Sequence, residues 1–190
     1  MGLVFIEKED YPNPSDVINL ANYIATLSKC PHFICRTSNI ISSQNPFLDM
    51  YSIARQFICI QDTYKGQFKH RVYHIYYSLD MDLDTMTIQS AESIGIAFMM
   101  LFSQYQSIFA VHEDKGFLHF HMMINNISWI DGVKPLSHYI SQMNLDSLAY
   151  AVLKDYQDYY MIHKMSKIPN ATLMAKDAFY RFISGHYSEI

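Results

Sequence analysis

At 190 residues the chain is long enough to bury a real core within one domain. Half of its residues are hydrophobic and 15% are aromatic, which excludes a disordered chain. A formal net charge of -4 argues against a protein held on nucleic acid by bulk charge alone, while leaving room for a local basic groove. No run of about eighteen apolar residues occurs, so no membrane span is expected. The first ten residues lack a basic leader and turn acidic at Glu7, unlike a signal peptide. Cys30, Cys35 and Cys59 make an odd set without a tight metal-ligand spacing, and a reduced, cytoplasmic chain is the simplest account.

Residues 3–6 are apolar and read as a first strand. Pro12-Asn13-Pro14 breaks the chain, Ser15 or Asp16 can cap a helix, and Val17, Leu20, Ala21 and Ile24 follow at helical spacing. Tyr23 falls beside this stripe, on the flank shared with Leu27, where a ring packs in part and its hydroxyl stays accessible. Residues 33–36 predict a short second strand, and Pro46 opens a helix over roughly 47–58. Residues 64–71 form the densest basic patch, with Lys65, Lys69 and Arg71 interleaved with aromatics. That pattern fits a solvated loop or a strip that follows a phosphate backbone.

Residues 72–79 alternate as a strand should, with Val72, His74, Tyr76 and Ser78 on one face. An acidic turn over 80–84 and a helix over 85–102 follow. Residues 109–125 then read as a hairpin turning at Lys115-Gly116, since Gly accepts the positive φ such turns need. In that register His112 opposes His119, and His121 lies two residues further on the same face. Three imidazoles therefore converge on one patch, a pattern suited to a divalent metal with open coordination positions. Leu118, Phe120, Met122 and Ile124 point the other way, toward a core. Residues 127–135 suggest a short protruding hairpin with its turn at Asp131-Gly132. Helices are expected over about 137–163, carrying Tyr150, Tyr156, Tyr159 and Tyr160, and over about 171–184. The whole predicts an α+β two-layer sandwich: a central antiparallel sheet of about five strands, helices packed on one face and an open polar face. One domain over 1–190 is expected, with its core over about 1–165 and a helical extension over about 166–190.

The string Val111-His112-x-Asp114-x-x-x-Leu118-His119-x-His121-x-x-Ile124-Asn125 resembles the third motif of conjugative relaxases, the mobilization nucleases of the HUH endonuclease superfamily. Asn22-Tyr23-Ile24, with Lys29 shortly after, resembles the motif that supplies the nucleophile. Tyr73-His74-Ile75-Tyr76-Tyr77-Ser78, followed by an acidic turn and a helix, resembles the middle motif. The resemblance spans roughly 15–165. It implies a metal, Mg²⁺ or Mn²⁺, held by His112, His119 and His121, and a Tyr23 nucleophile that forms a 5′-phosphotyrosyl intermediate at an origin of transfer. It further implies that Ser78 contacts the DNA or the scissile phosphate. Asp114 is a candidate to orient a histidine through its second nitrogen, and equally a turn residue. Candidate DNA contacts are Lys65, Lys69, Arg71, His74, Lys134 and Asn125. The implied partners are single-stranded origin DNA, an accessory DNA-binding protein and a transfer apparatus. Two alternatives stay open: a single-Tyr transposase or replication initiator using a downstream Tyr, and a non-catalytic DNA-binding protein on the same fold.

Overall fold

The computed structural model describes residues 3–7, 10–42, 45–64, 68–78, 88–113, 118–130 and 132. The expectations for Lys65, Asp114, Lys134, the acidic turn, the Lys115-Gly116 turn, both helices beyond 133 and their tyrosines lie outside these residues. The elements in chain order are β1 (Leu3–Ile6), α1 (Pro14–Ile24), β2 (Cys35–Ser38), α2 (Met50–Thr63), β3 (Val72–Ser78), α3 (Ile88–Met100), β4 (Tyr105–His112) and β5 (His119–Ser128). The five strands form one sheet in the order β1-β3-β5-β4-β2, and every neighbouring pair is antiparallel.

Local chemistry accounts for where elements start. Pro14 opens α1, where a missing N–H costs nothing. Asn13, rather than Ser15, is the cap: its backbone N–H and its side-chain amide both donate to the Asp16 carboxylate, at 2.8 and 3.1 Å. β2 starts at Cys35 rather than at residue 33 because Phe33 has φ 54°, a left-handed conformation no strand residue adopts. α2 starts at Met50 because Pro46–Leu48 closes a separate 3₁₀ turn, with the Asn45 side chain accepting from the Phe47 N–H. β5 runs on to Ser128, which pairs with Tyr105 across a register shift. Ile127 is fully buried, so the first arm of the expected protruding hairpin belongs to the sheet instead.

The α+β class and the five-stranded antiparallel sheet agree with the sequence. The helices, however, cover both faces of the sheet, which corrects the expectation of one helical face and one open face. On one face Ile75, Phe109, Phe120 and Met122 pack against Ala91, Ile94 and Phe98 of α3. On the other, Val72, Ile108, Ala110 and Met123 pack against Val17, Ala21 and Ile24 of α1 and Phe57 of α2. The reason is in the strands: β4 and β5 are apolar on both alternations at their centre, and each buried side chain of this size contributes roughly 1.5–3 kcal/mol. Neither face can be left to water. Close packing shows at Gly95, where any added Cβ would run into the Phe109 ring.

Candidate active site

β4 and β5 carry the three histidines to the covered face. His112 stands directly opposite His119, and His121 opposite Ala110. All three are at least 97% buried. Their ring centroids lie 4.6 to 5.4 Å apart. Each offers one nitrogen such that the three atoms fall within 4.8 Å of one another, close enough to serve one ion. The donor set fits a divalent transition metal, since imidazole is a ligand for such ions and three protein donors leave positions for an outside ligand.

Two of these rings are held from behind. The Ile24 carbonyl, at the end of α1, has no intrahelical partner there. It accepts from His112 Nε2 at 2.7 Å, so His112 can offer only Nδ1 as a ligand. His121 Nδ1 lies 2.8 Å from His74 Nε2 on the neighbouring strand β3, and His74 Nδ1 lies 3.2 Å from the Tyr11 hydroxyl. Burial, and then the neighbouring His112, push His74 down to about 4, so its ring is neutral near pH 7. Hydrogen-bonded partners of this kind set ring tautomer and orientation at metal sites.

Tyr23, on the last turn of α1, lies edge-on over this cluster. Its ring centroid is 5.1 Å from that of His121, 5.9 Å from that of His74 and 6.1 Å from that of His112. It is 38% exposed, so the side chain is packed in part and open to solvent in part. Lys29 Nζ sits 4.3 Å above the same ring. Tyr23 and His74 also border an open cavity of about 490 Å³, whose wall includes Tyr11 and the carboxylates of Glu7, Asp10 and Asp16. Its size is within the range of small-ligand pockets.

A family model described as relaxase, MobA/VirD2-like, nuclease domain matches residues 34–166. The chain belongs to this relaxase family. Its activity class is thus DNA nicking, and its three clustered histidines could hold a metal ion. The match takes in all three histidines of the relaxase and the whole of β3, and begins after Tyr23. No curated protein matches the chain. Among the described residues no helix is long and apolar enough to cross a membrane.

The remaining expected site residues of this relaxase fall into different settings. Ser78 pairs across the sheet with His119 and is 7% exposed, at the rim of the histidine face. Lys69 is an exposed side chain, 3.8 Å from Asp10. Arg71 is mostly covered and clamps the chain: Nε donates to the Pro12 carbonyl at 2.9 Å and Nη1 to Gln61 at 3.0 Å. Asn125 has no exposed surface. Its amide donates to Gln106 and to the Phe57 carbonyl and accepts from Gln61. Both amide atoms of Asn125 are thus committed to internal bonds, and Arg71 has its Nε and Nη1 so committed. His74 bonds to His121 and Tyr11 while bordering the open cavity beside Tyr23.

Four neighbours went unrecognised in the sequence. Tyr76 lies 4.9 Å from His121 and 5.2 Å from His119, ring to ring. The alternation of β3 put it on the right face and could have named it. Tyr11 follows no periodic pattern and reaches His74 only through the fold. The His32–Glu113 contact ties the loop after α1 to the end of β4, directly beside His112. The Glu113 N–H adds a bond to the Lys29 carbonyl at 2.9 Å.

Proposed function

We propose that this relaxase nicks one DNA strand at an origin of transfer, with Tyr23 as nucleophile and a divalent metal bound by His112, His119 and His121. The single observation that carries the reading is the half-exposed Tyr23 ring standing edge-on over the buried histidine cluster. In this mechanism the Tyr23 oxygen, having lost its proton, attacks the scissile phosphorus. The P–O3′ bond breaks, a 5′-phosphotyrosyl link forms and the departing 3′ oxygen takes up a proton. The bound metal would polarise the phosphate and offset transition-state charge. Lys29, whose Nζ sits above the Tyr23 ring, supplies a positive charge that draws the phosphate toward the site. The covalent link preserves the bond energy, so the same site can rejoin the strand.

The donor set supports Mn²⁺, or a later divalent ion, over Mg²⁺. Mg²⁺ binds through oxygen ligands and water, and three neutral imidazoles are poor hosts for it. Lys69, exposed on the basic strip, is the described residue best suited to follow the DNA backbone. The role of Ser78 as a phosphate contact is supported by its position opposite His119. An accessory DNA-binding protein fits the net acidic chain, which supplies little backbone attraction of its own.

The test uses the full chain, Mn²⁺ and a pool of randomised single-stranded oligonucleotides. Protein–DNA adducts are captured on a denaturing gel, sequenced and peptide-mapped. An adduct on Tyr23 supports the proposal. An adduct on Tyr150, Tyr156, Tyr159 or Tyr160 keeps the chemistry and moves the nucleophile. Absence of any adduct from a metal-loaded protein favours a non-catalytic DNA-binding role.

A further inference from the structure

We infer that Tyr11 and His74 are positioning residues that decide whether His121 presents its Nε2 lone pair to the metal. The inference rests on the metal-centre reading above and goes beyond it to the order of protons behind the site. Tyr11, His74 and His121 form a buried line, 7%, 5% and 3% exposed, spaced 3.2 and 2.8 Å apart. A ring nitrogen that binds a metal must present a lone pair, and a neutral imidazole carries a single N–H.

Only two proton orders satisfy both bonds of this line. In the first, His121 Nδ1–H donates to His74 Nε2, and His74 Nδ1–H donates to the Tyr11 oxygen. His121 then offers Nε2 to the metal. In the second, Tyr11 donates to His74 Nδ1, and His74 Nε2–H donates to His121 Nδ1. That order leaves the proton of neutral His121 on Nε2, where it blocks a metal bond. Metal binding therefore requires the outward order.

His112 behaves differently. Its partner is the Ile24 carbonyl, which can only accept, so His112 has one tautomer whatever the metal does. The centre thus pairs one ligand of fixed tautomer with one whose tautomer is set by a reversible side-chain relay. His74 sits on β3, Tyr11 in the segment between β1 and α1, and His121 on β5. The relay couples three separate parts of the chain to a single ligand atom.

The full chain, labelled with ¹⁵N on its imidazoles, is titrated with diamagnetic Zn²⁺ and followed by two-bond N–H couplings and by calorimetry. With Zn²⁺ bound, His121 and His74 are both expected as Nδ1–H and His112 as Nε2–H. His74→Phe, which cannot accept, should lower Zn²⁺ affinity about 10–100-fold, the usual effect of removing an outer partner. His74→Gln should recover most of it, because its carbonyl oxygen replaces the accepting Nε2. Tyr11→Phe should cost less and shift the His74 tautomer population. Thermal melts of the metal-free variants separate these effects from misfolding. An Nε2–H signal on His121 in the Zn²⁺-bound protein overturns the relay, as does wild-type affinity in a folded His74→Phe. If the wild-type chain does not bind Zn²⁺ at all, the metal centre itself is wrong and the relay falls with it.

Discussion

Tyr23 and His121 meet edge to face, with ring centroids 5.1 Å apart at an interplanar angle of 81°, although one lies on a helix and the other on the central strand. More than a third of the tyrosine stays open beside this contact. Tyr23→Phe keeps the ring, its contact with His121 and its place under Lys29, and removes only the hydroxyl. It should abolish adduct formation, by at least ~10³-fold in rate. Stability should stay within about 0.5 kcal/mol of the parent. A denaturing gel and a urea melt read the two quantities separately, and an undiminished adduct would reassign the nucleophile.

Removing a ligand should cost more than removing a partner behind it. His119→Ala, at a fully buried position, is expected to lower Mn²⁺ affinity by more than ~100-fold in calorimetry. Nicking should fall with it, and a chelator should silence the parent protein in the same way. Equal metal affinity in parent and variant would remove His119 from the ligand set.

Asn125 provides a test of the expected DNA contacts. Asn125→Ala leaves Gln61 and Gln106 without their shared buried partner, which should destabilise the fold by about 1–3 kcal/mol. The fraction that remains folded should bind single-stranded DNA with parent affinity. A large affinity loss at parent stability would place Asn125 at the interface.

Cys35 sets a pH limit. Burial, reinforced by Cys30, pushes its thiol up to about 12 against an ordinary 9.0, with Arg36 acting in the opposite direction. Between those values the unfolded chain releases a proton that the folded chain retains. Stability is therefore complete below about pH 9 and declines as pH rises toward 12, with this thiol contributing at most ~1.4 kcal/mol per pH unit. Cys35→Ala should flatten that alkaline decline in denaturant melts between pH 8 and 11. An unchanged slope would assign it to another group.

Gly95 tests the packing of the other face. An added methyl group meets the Phe109 ring, so Gly95→Ala should destabilise by about 1–3 kcal/mol despite the better helix propensity of alanine. A stabilised variant would show that the ring moves aside freely.

Much of the site was legible because it depends on short-range periodicity. A strand repeats every two residues, so His119 and His121 had to share a face, and the antiparallel register expected from the sequence, with His112 opposite His119, is the one the strands adopt. The stripe of α1 likewise named Val17, Leu20, Ala21 and Ile24, all of them buried. What could not be read were partnerships across long separations. Arg71 and Asn125 looked like polar groups available to DNA. Their bonds to Pro12, Gln61 and Gln106 arise only when distant segments pack.

Among the described residues, the sequence by itself determined the order of the main elements, the sheet-forming patterns and the convergence of three imidazoles, because all of these follow from local backbone geometry. Only the tertiary structure decided which face of the sheet α1 covers. That choice brings Tyr23 and the Ile24 carbonyl onto the histidines and buries His74 between Tyr11 and His121. It was settled by the need to bury apolar side chains on both faces of β4 and β5, a demand of the whole fold that no short stretch of chain encodes.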